Sequence, residues 1–175
     1  SDLDLDTAQG GKDKIAKSVA RLVEREKMTA LEADELLANI MPVDSVNAFG
    51  PADLVIEAAT EREEIKRRIF ESVRLVLRDD AILASNTSSI PITRMAQAAP
   101  DARRFIGLHF FNPVPVMGLI EIIRGLATSD ETVKKVAAYA TALKKEIVYA
   151  EDEPGFVVNR ILLPMINEAV FVLGQ

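Results

Sequence analysis

The stretch "DLVIEAATEREEIKRRIFESVRLVLRDDAILAS", residues 53–85, decides the fold of this chain. It opens with an apolar run at 53–58 and closes with a second apolar run at 81–85. Between the runs, apolar side chains recur at helical spacing and charged side chains cover the opposite face. A strand, a helix and a second strand of these lengths form a βαβ unit, which predicts two parallel strands.

The same alternation of strands and helices continues towards the end of the chain. Further apolar runs predict strands at 104–110, 119–124 and 146–151, and a weaker run makes 40–44 a candidate sixth strand. The segment "SDETVKKVAAYATALKK" predicts a helix that Ser129 caps. Only the link at 111–118 is short, so it predicts a turn between neighbouring elements. The predicted fold class is α/β with a mostly parallel sheet.

Helices are also predicted near both ends of the chain. Residues 12–40 have the pattern of two charged helices, and Thr29 and Glu32 form a capping box at the start of the second one. After a break at "DEPGFVVNR", we expect Pro154 at the start of a helix that is apolar nearly all round. Such a helix needs partners on every side.

The composition argues against several functional classes. The chain has 175 residues, of which 49% are hydrophobic, a net charge of −6 and no cysteine. An acidic balance disfavours binding to nucleic acid or to an anionic membrane. Without cysteine, and with one histidine, the chain offers few soft ligands for a metal. The most apolar window, 156–173, contains charged and polar residues, which favours a buried helix over a membrane span. We expect no metal, nucleic-acid or membrane partner.

Polar side chains lie at the ends of three predicted strands or shortly after them. Ligands bind beyond the carboxyl ends of the strands in an open parallel sheet. We therefore expect these side chains to converge on one edge of the sheet; they are Glu61, Asn86, Ser88, His109 and Asn112.

His109, the only histidine of the chain, is the candidate proton carrier at this edge. An imidazole titrates near neutral pH and can both take up and return a proton. Glu121, predicted on the next strand, can reach back to fix its tautomer and stabilise the imidazolium. The Ser88 hydroxyl and the Asn159 carboxamide can hold a substrate oxygen.

Each of these residues also has a purely structural interpretation. A lone histidine is usually a core or surface residue, and Ser88 or Ser89 in "NTSS" can simply cap the next helix. Glu121 alone is typical of an exposed strand position, and Asn159 of a polar spacer within a helix. Only their joint placement favours a functional site.

Four ordered motifs closely resemble the 3-hydroxyacyl-CoA dehydrogenases, especially the bacterial 3-hydroxybutyryl-CoA type. They are "DLVIEAATE", "ILASNTSSI", "GLHFFNPVPVMGLIE" and "EPGFVVNRILLPMINEA". The resemblance implies a Rossmann-like domain that binds NAD, residues 1–153, followed at 154–175 by the first helix of an all-α substrate and dimerisation domain. It also implies an acyl-CoA substrate, a homodimer and a cytoplasmic location.

The resemblance assigns roles to individual positions. His109 resembles the catalytic acid/base of the family, Glu121 its orienting partner, and Ser88 and Asn159 the groups that hold the substrate oxygens. The positions that resemble NAD contacts are Asp2, Glu61, Lys66, Ser88 and Asn112, and those that resemble CoA contacts are Ser18 and Arg25.

The chain departs from the family pattern near its start. There is no G-x-G-x-x-G, and the glycine pair at 10–11 does not follow a predicted strand. The resemblance aligns Ser1 and Asp2 with the end of the second Rossmann strand. We therefore expect a fragment that lacks the glycine-rich segment and most of the helical domain, and that is inactive alone. Gly118 also stands where relatives often carry lysine.

Three hypotheses for function stay open. The first is an oxidoreductase that interconverts a 3-hydroxyacyl-CoA and a 3-oxoacyl-CoA with NAD(H), using the histidine and glutamate as an acid–base pair. The second is an inactive fragment or interaction module that retains the dehydrogenase fold. The third is the dehydrogenase module of a multifunctional fatty-acid oxidation protein.

Overall fold

The structure is a computed structural model, and it describes residue 2 and residues 4–174. The chain divides into two compact units, Ser1–Gly50 and Pro51–Gln175. This division does not test the predicted domain boundary between residues 153 and 154, which stays a prediction.

The first unit contains two helices, α1 (Leu5–Glu24) and α2 (Ala30–Ala38). Helix α1 begins because the Asp4 side chain accepts a hydrogen bond of 2.7 Å from the Thr7 amide. Helix α2 begins with the predicted capping box, in which Thr29 and Glu32 each bind the other's backbone amide.

Two expectations for the first unit are wrong in detail. The run at 40–44 forms no strand, because Pro42 has no amide to donate and the neighbouring carbonyls have other partners. Lys12 Nζ donates to the Ile40 carbonyl at 2.8 Å, and the Asp2 amide donates to the Val43 carbonyl at 3.3 Å. Helix α1 also begins earlier than residue 12, so the glycine pair at 10–11 lies inside it.

The second unit contains a five-stranded sheet and four α-helices. The strands are β1 (Leu54–Glu57), β2 (Ile82–Ser85), β3 (Phe105–Phe110), β4 (Leu119–Arg124) and β5 (Glu146–Glu151). The helices are α3 (Glu63–Arg74), α4 (Ile92–Met95), α5 (Asp130–Ala142) and α6 (Val158–Leu173). All five strands fall within the apolar runs that predict them, and Ser129 caps α5.

The sheet has the order β1-β2-β3-β4-β5. Only β3 and β4 pair antiparallel, and the other neighbouring pairs are parallel. The short link at 111–118 requires this arrangement, since a parallel pair needs a longer crossover. The prediction of an α/β, Rossmann-like and mostly parallel sheet is confirmed.

Helices cover both faces of the sheet. On one face, alternate strand residues such as Ile106 and Leu108 pack with Val136 and Ala140 of α5. On the other face, the Phe70 ring of α3 meets the Phe105 ring edge-on, with 5.2 Å between ring centroids. Because successive strand residues point to opposite faces, His109 lies on the same face as Phe105.

The turn before α6 differs from the expectation. Gly155 and Phe156 have φ values of +79° and +50°, a left-handed conformation that a right-handed helix cannot contain. Helix α6 therefore begins at Val158 and not at Pro154. None of its described residues is buried, and its apolar side chains are exposed as expected for a helix that lacks partners within this unit.

Among the described residues, no helix combines the length and the apolar character that crossing a membrane requires.

Candidate active site

The site is built around a pair of side chains on neighbouring antiparallel strands. His109 of β3 lies directly opposite Glu121 of β4, so both side chains leave the same face of the sheet. The distance between His109 Nδ1 and Glu121 Oε2 is 2.7 Å. Glu121 is completely buried and His109 is 7% exposed. The structure therefore brings together the histidine and the glutamate that the sequence singles out.

The second oxygen of Glu121 binds the start of α6. Glu121 Oε1 accepts hydrogen bonds from the Val157 and Val158 amides, at 3.0 and 2.9 Å. An ionised carboxylate only accepts hydrogen bonds, so the proton between Glu121 and the imidazole belongs to Nδ1. In the neutral ring this leaves the lone pair on Nε2, for which no hydrogen bond is recorded within the described residues.

Two aromatic rings flank the imidazole. The centroid of the His109 ring lies 4.7 Å from that of Phe111 and 5.8 Å from that of Phe156. Phe156 is 4% exposed, although it occupies the left-handed turn before α6. The sequence analysis names neither ring. Strand alternation could have indicated Phe111, which lies two residues after His109, but no local pattern places the turn at 155–156 against β3.

Glu61 organises the turn after β2. Its Oε1 atom lies within 3.1 Å of the Thr87 hydroxyl and of the amides and hydroxyls of Ser88 and Ser89. These donors outnumber the lone pairs of one oxygen, so the serine hydroxyls can turn to a ligand without leaving Glu61 unsatisfied. The structure thus brings Glu61 and Ser88 together, as predicted.

The same hydrogen bonds set the charge of Glu61. Partial burial acts to raise the pKa of its carboxyl, but the hydrogen bonds from Thr87, Ser88 and Ser89 outweigh this effect. The pKa therefore lies below the ordinary value of 4.5, and Glu61 is ionised at neutral pH.

The predicted capping role of Ser88 or Ser89 is wrong. Helix α4 has Pro91 at its N-cap, with no side-chain hydrogen bond from the cap residue. Its first amides, those of Ile92 and Thr93, instead donate to the two carboxylate oxygens of Asp152, at 2.6 and 2.7 Å. The Ser88 and Ser89 hydroxyls donate to Glu61 instead. The start of α4 is therefore capped by Asp152, which lies sixty positions from Ile92 in the sequence.

Lys66 lies under this edge in a buried charge network that the sequence analysis misses. Its ammonium donates to both carboxylate oxygens of Glu57, at 3.0 and 2.7 Å, and lies 3.9 Å from Glu61 Oε2. Ser85, the neighbour of Glu57 in the sheet, donates to the same carboxylate at 2.8 Å. A signal for this network exists in the sequence, since a carboxylate within a buried strand requires a nearby cation.

The three asparagines predicted for the site occupy different environments. Asn86 Oδ1 accepts from the Phe110 amide at 2.8 Å and so joins the ends of β2 and β3. Asn159 lies in the first turn of α6, next to the two amides that bind Glu121, and is partly exposed. Asn112 is exposed in the link after β3. Within the described residues, no hydrogen bond to the side chain of Asn112 or of Asn159 is recorded.

The remaining predicted residues belong to the first unit. Ser18 and Arg25 are exposed on α1 and at its C-cap, seven residues apart and so on the same side of the helix. Asp2 is exposed and lies outside any strand, and Ser1 lies outside the described residues. Their roles as CoA and NAD contacts stay predictions. In the described part of the chain, no group of three or more acidic or histidine side chains has the geometry of a metal site.

Residues 1–153 match a family model described as "3-hydroxyacyl-CoA dehydrogenase, NAD binding domain". The chain belongs to the 3-hydroxyacyl-CoA dehydrogenase family. The family assignment from the sequence is therefore confirmed, and the description of the matching family model names NAD, the cofactor that the sequence predicts.

Relatives of two kinds are similar to this chain. A 3-hydroxybutyryl-CoA dehydrogenase of Bradyrhizobium diazoefficiens is 44% identical over 100% of this chain and 60% of its own length. A fatty acid oxidation complex subunit alpha of Psychrobacter cryohalolentis is 40% identical over 94% of this chain but only 23% of its own length.

A similar solved structure also belongs to a 3-hydroxybutyryl-CoA dehydrogenase. The crystal structure of (S)-3-hydroxybutyryl-CoA dehydrogenase from Ralstonia eutropha is 47% identical, with a TM-score of 0.96 over 99% of this chain and 61% of that chain. The chain thus spans about 60% of the length of the 3-hydroxybutyryl-CoA dehydrogenases that it matches.

Proposed function

We propose that this chain carries the catalytic edge of an NAD-dependent dehydrogenase that interconverts a 3-hydroxyacyl-CoA and a 3-oxoacyl-CoA. The observation that carries the proposal is the buried pair of His109 and Glu121, with 2.7 Å between Nδ1 and Oε2. Family membership supports the reaction class, and the names of the relatives support an acyl-CoA substrate with a short chain such as 3-hydroxybutyryl-CoA.

His109 exchanges the proton in this mechanism. In the direction of oxidation, Nε2 takes the proton of the 3-hydroxyl while the hydrogen on C3 leaves as hydride, and the C–O bond becomes a carbonyl. Bound NAD⁺ supplies the hydride acceptor. Glu121 holds the ring with Nε2 free and stabilises the imidazolium that forms. In the reverse direction the imidazolium returns the proton to the carbonyl oxygen.

Ser88 and Asn159 are proposed to hold the substrate oxygens. The Ser88 hydroxyl is one of several donors to Glu61, so it can turn towards a substrate oxygen. Asn159 is fixed relative to the imidazole, because Glu121 binds both His109 and the turn that precedes Asn159.

The cofactor edge fits the ribose hydroxyls of NAD. Glu61 Oε2 is a charged acceptor, and its nearest recorded partner in the described chain is Lys66, 3.9 Å away. A carboxylate oxygen in this state accepts hydroxyl groups well. Glu61, with the buried Lys66 next to it, and the exposed Asn112 are proposed to hold the cofactor, and Asp2 is proposed to bind the adenosine ribose. Ser18 and Arg25 are proposed to bind CoA, whose phosphates a guanidinium suits.

Two further proposals concern the assembly and location of the protein. The exposed apolar side chains of α6, among them Leu163 and Phe171, support a helical partner surface and hence a homodimer. A cytoplasmic location is in keeping with an enzyme of acyl-CoA metabolism.

A second candidate is the dehydrogenase module of a multifunctional fatty-acid oxidation protein. The similarity to a fatty acid oxidation complex subunit alpha supports it. The chemistry at His109 would be the same, so the mass of the native polypeptide distinguishes the two. An inactive interaction module is the weaker hypothesis, because the buried His109–Glu121 pair has the hydrogen bond that the proposed acid–base role requires.

The test is the oxidation of 3-hydroxybutyryl-CoA by the full-length protein, followed through NADH formation. We expect His109→Gln to lower kcat by roughly 10²- to 10⁴-fold, with little change in the Kd of NADH. The control is Glu71→Gln, which changes an exposed carboxylate on α3 and keeps full activity. Turnover near that of the wild type in His109→Gln would remove the histidine from the mechanism.

A further inference from the structure

We propose that Glu57 is a positioning residue of the cofactor edge, which acts through Lys66 on the Glu61 carboxylate. The inference rests on the proposed function, because it takes Glu61 as the group that binds the cofactor. No motif of the sequence assigns a role to Glu57, and it does not reach the surface where a ligand binds.

Glu57 is a buried carboxylate with all its hydrogen-bonding capacity in use. It is 4% exposed. Its Oε1 accepts from Lys66 Nζ at 3.0 Å and from the Ala59 amide at 2.8 Å. Its Oε2 accepts from Lys66 Nζ at 2.7 Å and from the Ser85 hydroxyl at 2.8 Å. Two hydrogen bonds on each oxygen hold the carboxylate in one orientation.

Glu57 in turn determines where the Lys66 ammonium lies. Lys66 is 2% exposed, and a buried ammonium requires an opposite charge in contact with it. In the described chain its recorded partners are Glu57 Oε2 at 2.7 Å and Glu61 Oε2 at 3.9 Å. Without Glu57, only the half-exposed Glu61 would remain, and the ammonium would move towards it or towards water.

Lys66 therefore places a positive charge 3.9 Å from Glu61 Oε2, an oxygen for which no hydrogen bond is recorded in the described part of the chain. The Oε1 atom of Glu61 is held by the turn that carries Ser88, so the orientation of Oε2 towards a ligand depends on the charge next to it. The ordered series Ser85, Glu57, Lys66, Glu61 and Ser88 runs from the inside of the sheet to the ligand edge.

A contribution to stability alone does not explain the buried ion pair of Glu57 and Lys66. Replacing a buried ion pair by apolar residues of similar volume is often neutral or stabilising, whereas removing one partner is strongly destabilising. This difference allows the contribution to folding to be separated from the contribution to ligand binding, because a double variant removes the charges without leaving either one unpaired.

The experiment compares Glu57→Gln, Lys66→Met and the double variant in the full-length protein. We expect each single variant to melt at a lower temperature than the double variant. In the double variant, we expect the Kd of NADH to rise about five- to tenfold, because the ammonium 3.9 Å from Glu61 Oε2 is removed together with the Glu57 charge that positions it. The KM of NAD⁺ should rise with it, while the KM of the acyl-CoA stays close to that of the wild type.

Two further variants keep the result interpretable. Lys135→Met removes a lysine from an exposed pair with Glu131 on α5, and we expect no change in NADH binding. If the double variant does not fold, Glu57→Asp keeps the charge but withdraws it by one methylene, and we expect weaker NADH binding from this variant also.

Outcomes for the two proposals are distinct. A wild-type protein that does not bind NADH would contradict the proposed function. If the wild type binds NADH, then normal affinity in the folded double variant, or in Glu57→Asp, would overturn the role of Glu57 alone.

Discussion

His109 and Glu121 form a unit in which each side chain depends on the other. The imidazole needs the carboxylate to keep Nδ1 protonated, and the buried carboxylate needs the imidazole and two amides of the α6 turn as donors. Removing either member should therefore affect the same step of the reaction.

Glu121→Gln tests this dependence. A glutamine has one acceptor oxygen, so its amide group must face either Nδ1–H or the Val157 and Val158 amides. We expect a loss of about 1–3 kcal/mol in the free energy of unfolding, the cost of buried donors left unpaired. We also expect kcat to fall, and the double variant with His109→Gln to be no slower than the slower single variant, since residues that act as a unit are not additive.

Steady-state kinetics of the two single variants and the double variant give this comparison. Glu151→Gln removes an exposed carboxylate at the end of β5 and serves as the control for charge. If the effects of the two single variants simply multiplied in the double variant, the side chains would act independently.

The ionisation of Glu61 should make the stability of the fold depend on pH in the acidic range. Partial burial acts to raise the pKa of its carboxyl, but the hydrogen bonds from Thr87, Ser88 and Ser89 bring it below 4.5 in the folded state. The contribution to stability is therefore present above pH 4.5 and is lost as the pH falls through the folded-state pKa. We expect the difference in Tm between wild type and Glu61→Gln to be larger at about pH 7 than at about pH 3.5. Melting curves at the two pH values measure it, and an equal difference at both would contradict the proposed ionisation.

At the scale of elements, the short helix α4 depends on a residue from another part of the chain. Asp152 follows β5 and accepts from two amides at the start of α4. This contact ties the end of β5 to α4, and the turn that leads into α6 follows directly. The position of α6, and so of Asn159, is linked to the sheet through Asp152 on one side and Glu121 on the other.

Asp152→Asn should weaken this link. An asparagine accepts from one of the two amides and presents its own amide group to the second. We expect the free energy of unfolding to fall by about 1–2 kcal/mol. Asp4→Asn is the matched control, because asparagine is as good an N-cap as aspartate for the exposed start of α1. Urea denaturation of both variants is the measurement, and equal losses would show that the second hydrogen bond of Asp152 contributes nothing.

At the scale of the whole molecule, the close packing of helices on the sheet requires a residue without a side chain at 107. A Cβ atom on Gly107 would lie 2.8 Å from Ile123 Cβ and 2.9 Å from two side-chain atoms of Ile92. Both isoleucines are completely buried, so neither has room to move. Gly107 thus lets α4 approach β3 on the face that carries His109.

Gly107→Ala should therefore overpack this region and cost about 1–3 kcal/mol in the free energy of unfolding. Gly11→Ala provides the opposite control, since nothing lies within 4 Å of its Cβ position inside α1. There we expect a gain of about 0.5–1 kcal/mol, because alanine favours a helix over glycine. The two variants are compared by urea denaturation. An unchanged free energy of unfolding in Gly107→Ala would show that the Ile92 side chain can move to make room for the added methyl group.

The sequence by itself determined which segments become the five strands and which chemical groups lie where those strands end. All five strands lie inside apolar runs, and the Thr29–Glu32 box and the Ser129 cap are both present. These features depend on neighbours along the chain, so local patterns predict them. The candidate strand at 40–44 failed because an apolar run forms a strand only where another strand offers hydrogen bonds.

Only the tertiary structure decided how these groups are held. The pairing of His109 with Glu121 depends on the register of β3 against β4. The bond from Glu121 to the α6 turn joins residues 36 and 37 positions apart, and that from Asp152 to α4 joins residues 59 and 60 positions apart. Glu57 of β1 accepts a hydrogen bond from Ser85 of the neighbouring strand β2 and another from Lys66 of α3. The physical reason is that a buried carboxylate takes whichever donors the packed elements bring to it, and packing is a property of the whole fold.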